Sequence, residues 1–222
     1  MKATIFVILF AMTIQSCNSK SNGGKDKAVQ VESSAAVSAG FDLADVTFKE
    51  TIQSVDKSSG VSVSTSPSEE KTLTGYERVE STSPKLLTYN HSDLSGTGNN
   101  MTNKVIFHYT EKDSILAMYE LRIYNAAPNN GLVKSIEGKA GKPAVDRAVK
   151  DSGSGVDFRQ CVWVKDNVIY FLLQELDKTG VKTSNLAVFK NDNKDIYKLL
   201  GQKGYAISPQ SLIEEALAKA GK

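Results

Sequence analysis

Residues 158–176 read FRQCVWVKDNVIYFLLQEL, and the fold turns on this stretch. Phe158 to Val164 and Val168 to Leu176 are rich in β-branched and aromatic residues. Lys165-Asp166-Asn167 between them has turn chemistry, so the stretch is predicted as a β-hairpin. Neighbouring residues on a strand point to opposite faces. Ile169, Tyr170, Phe171 and Leu172 in succession therefore make the second strand apolar on both sides. Such a pair belongs in the middle of a sheet and is covered on both sides.

Upstream, Lys104 to Thr110 and Ile115 to Tyr124 form a second hairpin around Glu-Lys-Asp-Ser. Asn130-Gly131 then leads into Leu132, Val133 and Ile136, a helical spacing that stops near Gly138 or Gly141. Pro143 is placed to start a second short helix carrying Val145, Ala148 and Val149. Downstream lie a strand from Leu186 to Phe189 and a short helix with Ile196, Leu199 and Leu200. A last helix has Ser208 as cap, Pro209 in its first turn and Gly221 after its end. Its stripe of Leu212, Ile213, Ala216, Leu217 and Ala220 suits docking on a core. The turns at Lys112-Asp113 and Lys165-Asp166 echo each other, each in a hairpin that precedes a helix.

Before the first hairpin the signal is weaker. Val46, Phe48 and Ile52 nearly alternate with polar residues and predict a first strand. Lys57 to Lys71 reads as an edge hairpin or a loop. Gly75 to Glu80 and Leu86 to Tyr89 are short strand candidates, and residues 95–100 (SGTGNN) form a breaker cluster. The expected fold is α+β, one domain over residues 41–222. It is an antiparallel sheet of about six strands from two hairpin–helix units, with helices packed on one face.

The chain has 222 residues, 40% hydrophobic and 23% charged, enough to bury a core without staples. Its formal charge of +2 leaves no electrostatic footprint for nucleic acid. Arginine, the residue suited to bidentate phosphate or carboxylate recognition, occurs only at Arg78, Arg122, Arg147 and Arg159.

Met1-Lys2 is followed by an apolar run over residues 3–14, too short to span a bilayer but suited to a secretory leader. Ile14, Gln15, Ser16 and Cys17 come next. The segment resembles the lipobox of bacterial lipoproteins, with a branched aliphatic at −3, a small residue at −1 and then the cysteine. The resemblance covers the first 17 residues. It implies a signal peptide over 1–16, acylation of Cys17 and anchoring to a membrane through that lipid. By the same resemblance Asn18 points to the outer membrane. Residues 18–40, small and polar with no aromatic, read as a flexible tether with a root-mean-square span of roughly 25 Å. With Cys17 lipidated, Cys161 has no partner for a disulfide and reads as a small buried hydrophobe.

Catalytic and metal chemistry leave little trace. His91, with Asp93 two residues on, is the start of a general-base pair set in a turn-rich loop. His108 lies mid-strand between Phe107 and Tyr109. No ligand spacing suggests zinc, and no cofactor is expected. Residues 95–98 and 152–155 lack the order of a nucleophile elbow or a phosphate loop. The leading expectation is a membrane-tethered envelope lipoprotein that binds a protein partner or scaffolds a complex without catalysis. The alternatives are a carrier of a small apolar ligand or lipid, and a hydrolase with a dispersed carboxylate site. Strict alternation from Ile115 to Tyr124 puts Leu116, Met118, Glu120, Arg122 and Tyr124 on one face. Its charges predict partial exposure, which makes Leu116, Met118 and Tyr124 a candidate binding face.

Overall fold

The computed structural model describes residues 40–63, 74–124, 126–150, 156–178, 180–201 and 208–221. The expected signal peptide, Cys17 and the expected tether up to residue 39 lie outside them, as do residues 152–155. A 3-10 turn at Leu43–Asp45 precedes α1 (Ile52–Ser59). Strand β1 (Tyr76–Ser81) leads through a second 3-10 turn (Pro84–Leu86) to two small ribbons, β2 (Thr88–Tyr89) with β3 (Ser92–Asp93) and β4 (Thr97–Gly98) with β5 (Met101–Thr102). The main hairpins follow: β6 (Lys104–Thr110), β7 (Leu116–Ile123), α2 (Ala126–Ala140), β8 (Val145–Lys150), β9 (Asp157–Lys165), β10 (Val168–Asp177) and β11 (Gly180–Lys190). Helices α3 (Lys194–Gly201) and α4 (Pro209–Ala220) close the chain.

Seven strands form one antiparallel sheet in the order β1-β6-β7-β11-β10-β9-β8. The α+β class and the antiparallel sheet are as expected, with seven strands where about six were predicted. Both hairpins fall where the sequence puts them. The β9–β10 turn is a two-residue loop with Asp166 and Asn167 at φ 50° and 64°. Positive φ at both centre positions matches the twist of the flanking strands, and aspartate and asparagine tolerate it best. The breaker cluster likewise makes a two-residue turn, Asn99-Asn100, joining β4 to β5.

The helices lie on both faces of the sheet, a correction to the one-face expectation. On one face Val105, Phe107, Tyr119, Leu121, Val188 and Trp163 pack with Ile52 and Val55 of α1 and Leu132 and Ile136 of α2. On the other, Val162, Phe171, Met118 and Phe189 pack under Ile196 and Leu200 of α3 and Leu212, Ile213 and Ala216 of α4. The reason is the two-sided apolar character of residues 158–176. Burying a Phe, Ile or Val is worth about 1.5–3 kcal/mol each, so neither face of β10 is left to water.

Three further elements differ from the sequence reading. The strand expected across Val46 to Ile52 is instead a bend at Phe48 and the start of α1, capped by Thr51, whose Oγ1 accepts from the Ser54 amide at 3.2 Å. The helix expected after Pro143 is β8, because Val145 and Val149 also fit a period of two and pair against β9. Helix α2 ends at Gly141, at φ 81°, whose amide donates to Glu137 O at 2.8 Å.

The third difference lies in β7. Tyr109 pairs with Leu116 and His108 with Met118, so Ala117 is an extra residue, a β-bulge. Alternation breaks there. Leu116 joins the core under α1 and α2, while Ala117 and Met118 both join the core under α3 and α4.

Candidate functional site

The expected binding face does not form. Leu116 and Met118 are 2% and 0% exposed and belong to cores on opposite sides of the sheet, and Tyr124 is half-buried beyond the end of β7. Glu120, expected near solvent, is buried as well. A buried carboxylate is tolerable only with partners. His108 supplies one, with its Nε2 2.8 Å from Glu120 Oε1, and Arg122 lies 3.9 Å from the other oxygen. Arg78, which pairs in register with His108, is also buried. His108 is thus part of a closed polar cluster inside the β1–β6–β7 half of the sheet.

The other histidine stands at an open site. A cleft of about 590 Å³ is lined by Phe41 and Asp42 from the entering chain, Ser59 from the end of α1, and Lys85, Thr88 and His91 from the segment around β2. It is built on Asp42. One carboxylate oxygen accepts from the amides of Ala44 (2.9 Å) and Asn90 (2.8 Å), and the other accepts from the amide of His91 (2.7 Å). Asn90 and His91 sit at φ 46° and 63°, the centre of the β2–β3 turn. Successive left-handed residues aim their N–H groups at a common point, a cradle for an anion. Asp42 fills that cradle from 48 positions away and ties the entry of the chain to the ribbon.

The ribbon is fixed to α2 in turn. Asn90 Nδ2 donates to Ser135 O at 3.2 Å, and the hydroxyls of Ser92 and Ser135 meet at 2.9 Å. Gly138 leaves room for this approach, since a Cβ there would lie 3.0 Å from Asn90 Nδ2, a tight contact.

The His91 ring is 91% exposed, with Nδ1 3.7 Å from Asp42 Oδ2. That is too long for a hydrogen bond. Asp93, its expected partner, instead accepts from the Ser95 amide at 2.8 Å, which holds its carboxyl below the usual range. Ser59 is likewise engaged, donating to Val55 O and accepting from the Val61 amide. Asp45 at the rim pairs with Lys139 at 3.1 Å. Local sequence carried no signal for the place of Asp42 in the cleft, because beyond the Ala44 amide its partners are the backbone amides of Asn90 and His91, which no motif records.

Among the described residues no group of three or more histidine, cysteine, aspartate or glutamate side chains could hold a metal ion, and no helix is long and apolar enough to cross a membrane. Cys161 is buried, with its thiol donating to Asp146 Oδ1 at 3.4 Å. Burial pushes that thiol up to about 12.

No protein-family model matches the chain, and neither does any curated protein. Among solved structures it is similar to the crystal structure of a DUF4309 family protein (YjgB) from Bacillus subtilis, at 12% identity and a TM-score of 0.30, covering 66% of this chain and 86% of that one. At that score nothing about fold or function carries across.

Proposed function

We propose that this protein is a lipid-anchored module of the bacterial envelope, tethered through Cys17 to the outer membrane, and that its folded part binds another protein without catalysing a reaction. The sequence of the leader supports the anchor. The observation that supports binding over catalysis is the state of the chain's two histidines. His108 and its acid are buried inside the sheet. His91 is exposed, but the carboxylate beside it is spent on three backbone amides and does not orient the ring. An activated histidine base is typically oriented by a hydrogen bond to a third group, and Asp42 at 3.7 Å does not supply one to His91. What the cleft offers instead is a rim of Lys85, His91 and Asp45 around a partly buried Phe41, which is recognition chemistry. Phe41 is the single apolar side chain of that lining, which favours a protein surface over an apolar ligand.

Two measurements test the proposal. A radioactive fatty acid should label the wild type and leave Cys17→Ala unlabelled; label in both removes the anchor. A photoreactive amino acid at His91 or Lys85, in the full-length chain in its native envelope, should give a discrete protein adduct. The same group at exposed Met101, outside the cleft, should give none. Adducts with lipid alone would favour the carrier instead, and no adduct at either cleft position would end the binding proposal.

A further inference from the structure

We infer that the open edge of β8 pairs with the same edge of a second copy of this chain, antiparallel about a two-fold axis through Ala148. Strand β8 ends the sheet: β9 lies along one side, and among the described residues no strand lies along the other. Asp146, Arg147, Ala148 and Lys150 are exposed. An edge of this kind presents a row of N–H and C=O groups to any strand that fits it. At the opposite edge Arg78 and Val79 of β1 are buried, so less of that strand is on offer.

Charge selects the partner and the register. In an antiparallel pair the outward-pointing backbone groups recur at every second residue, so a two-fold axis must fall on a residue. An axis on Arg147 sets that arginine against itself, and like charges directly opposite are destabilising. An axis on Val149 leaves Lys150 opposite Ala148, and the one charge it could match is Arg147, already paired with Glu215 of α4, against Asp151, one position past the end of β8. An axis on Ala148 places Asp146 opposite Lys150 of the second copy, twice, and lays the Arg147 stem beside Val149 on the other face. Lys150 has no ion pair among the described residues. Asp146 already holds Arg159 through both oxygens, at 2.9 and 2.7 Å, yet its side chain is still 42% exposed and open to a second cation. The small side chain at the axis lets the two backbones approach. None of this depends on the lipid anchor or on a partner at the cleft.

Residues on the axis meet themselves, at Cα separations of about 4.5 or 5.5 Å, inside the range a disulfide bridges. Ala148→Cys in the full-length chain, oxidised with diamide in the native envelope, should run as a dimer on a non-reducing gel. Wild type, which keeps Cys17 and Cys161, should not. Nor should Lys150→Cys, whose two copies lie about 13 Å apart in this register. Adding Lys150→Glu to Ala148→Cys should cut the cross-linked fraction severalfold, and adding Lys150→Arg should leave it unchanged. No cross-link from an Ala148→Cys thiol that still reacts with a maleimide would overturn the pairing. Equal cross-linking from Lys150→Cys would reduce it to random collision, and indifference to Lys150→Glu would remove the register. Any of these outcomes leaves the proposed cleft partner untouched, because that is read at other residues.

Discussion

Phe48 is a residue at which the fold stores strain. Its φ is 60°, a region where a Cβ costs roughly 1–2 kcal/mol, and it has a bulky ring. The ring offsets that cost, because it is buried and stacks on Tyr119 with centroids 6.0 Å apart and planes 10° from parallel. Two truncations separate the effects. Phe48→Ala and Phe48→Gly both lose the ring, at about 3–5 kcal/mol. The glycine variant should nonetheless be the more stable of the two by about 1 kcal/mol in urea melts. Equal stability would mean that position 48 carries no backbone strain. Cys161 gives a second prediction at this scale. A folded thiol pushed up to about 12 is neutral at pH 8, so iodoacetamide should label it only after unfolding. Because the folded value lies above the unfolded one, near 8.5, the stability the thiol contributes is complete below that pH. It is lost as pH rises towards 12. The alkaline fall in stability should therefore be shallower in Cys161→Ala.

At the scale of elements, the bulge in β7 redirects the side chains that sequence alternation had assigned. Ile115 to Tyr124 does form a strand, but the extra Ala117 sends Leu116 and Met118 to opposite cores. Met118→Asp decides the matter in solution. An exposed Met118 would tolerate the change within about 1 kcal/mol. The buried position found here predicts a loss of about 3–5 kcal/mol or failure to fold, read by chemical denaturation, because an unpaired carboxylate enters an apolar core. Long elements with one clear period were legible in the sequence: both hairpins, α2 and α4. Of the short ones, α3 and β1 were legible and β8 was not. In Val145–Lys150 the valines four apart fit a helix turn and a strand equally, and only the pairing with β9 resolves the choice. The bulge at Ala117 has no glycine to mark it, so composition gave no signal for it.

For the whole molecule, the consequence of the two-sided sheet is that each face needs its own cover. Helices α1 and α2 close one face, and α3 and α4 close the other. The two hairpin–helix units are therefore unlike in placement, since α2 and α3 follow their hairpins to opposite sides. The described body starts at Gly40, and Asp42 ties that entry point to the β2–β3 turn. A chain beginning at Gly40 should keep the melting temperature of one beginning at Asn18, because residues 18–39 hold no aromatic and little apolar bulk to contribute to a core. A clear fall in calorimetry would show that the tether packs on the body.

The sequence by itself determined the class of fold, the two hairpins and the turns that close them. These are local matters, set by β-branched and aromatic runs and by residues that tolerate positive φ. It also carries the pattern from which a leader and a lipidated Cys17 are proposed, through the length of the apolar run and the residues that end it. Tertiary structure alone decided which side chains are surface. Burial depends on what packs from far along the chain, as α3 and α4 do over Met118 and Phe189. It alone built the cleft, whose central carboxylate meets amides 48 and 49 residues away. And it alone left β8 at the edge of the sheet, because strand order follows from long-range pairing and not from any property of Val145 to Lys150.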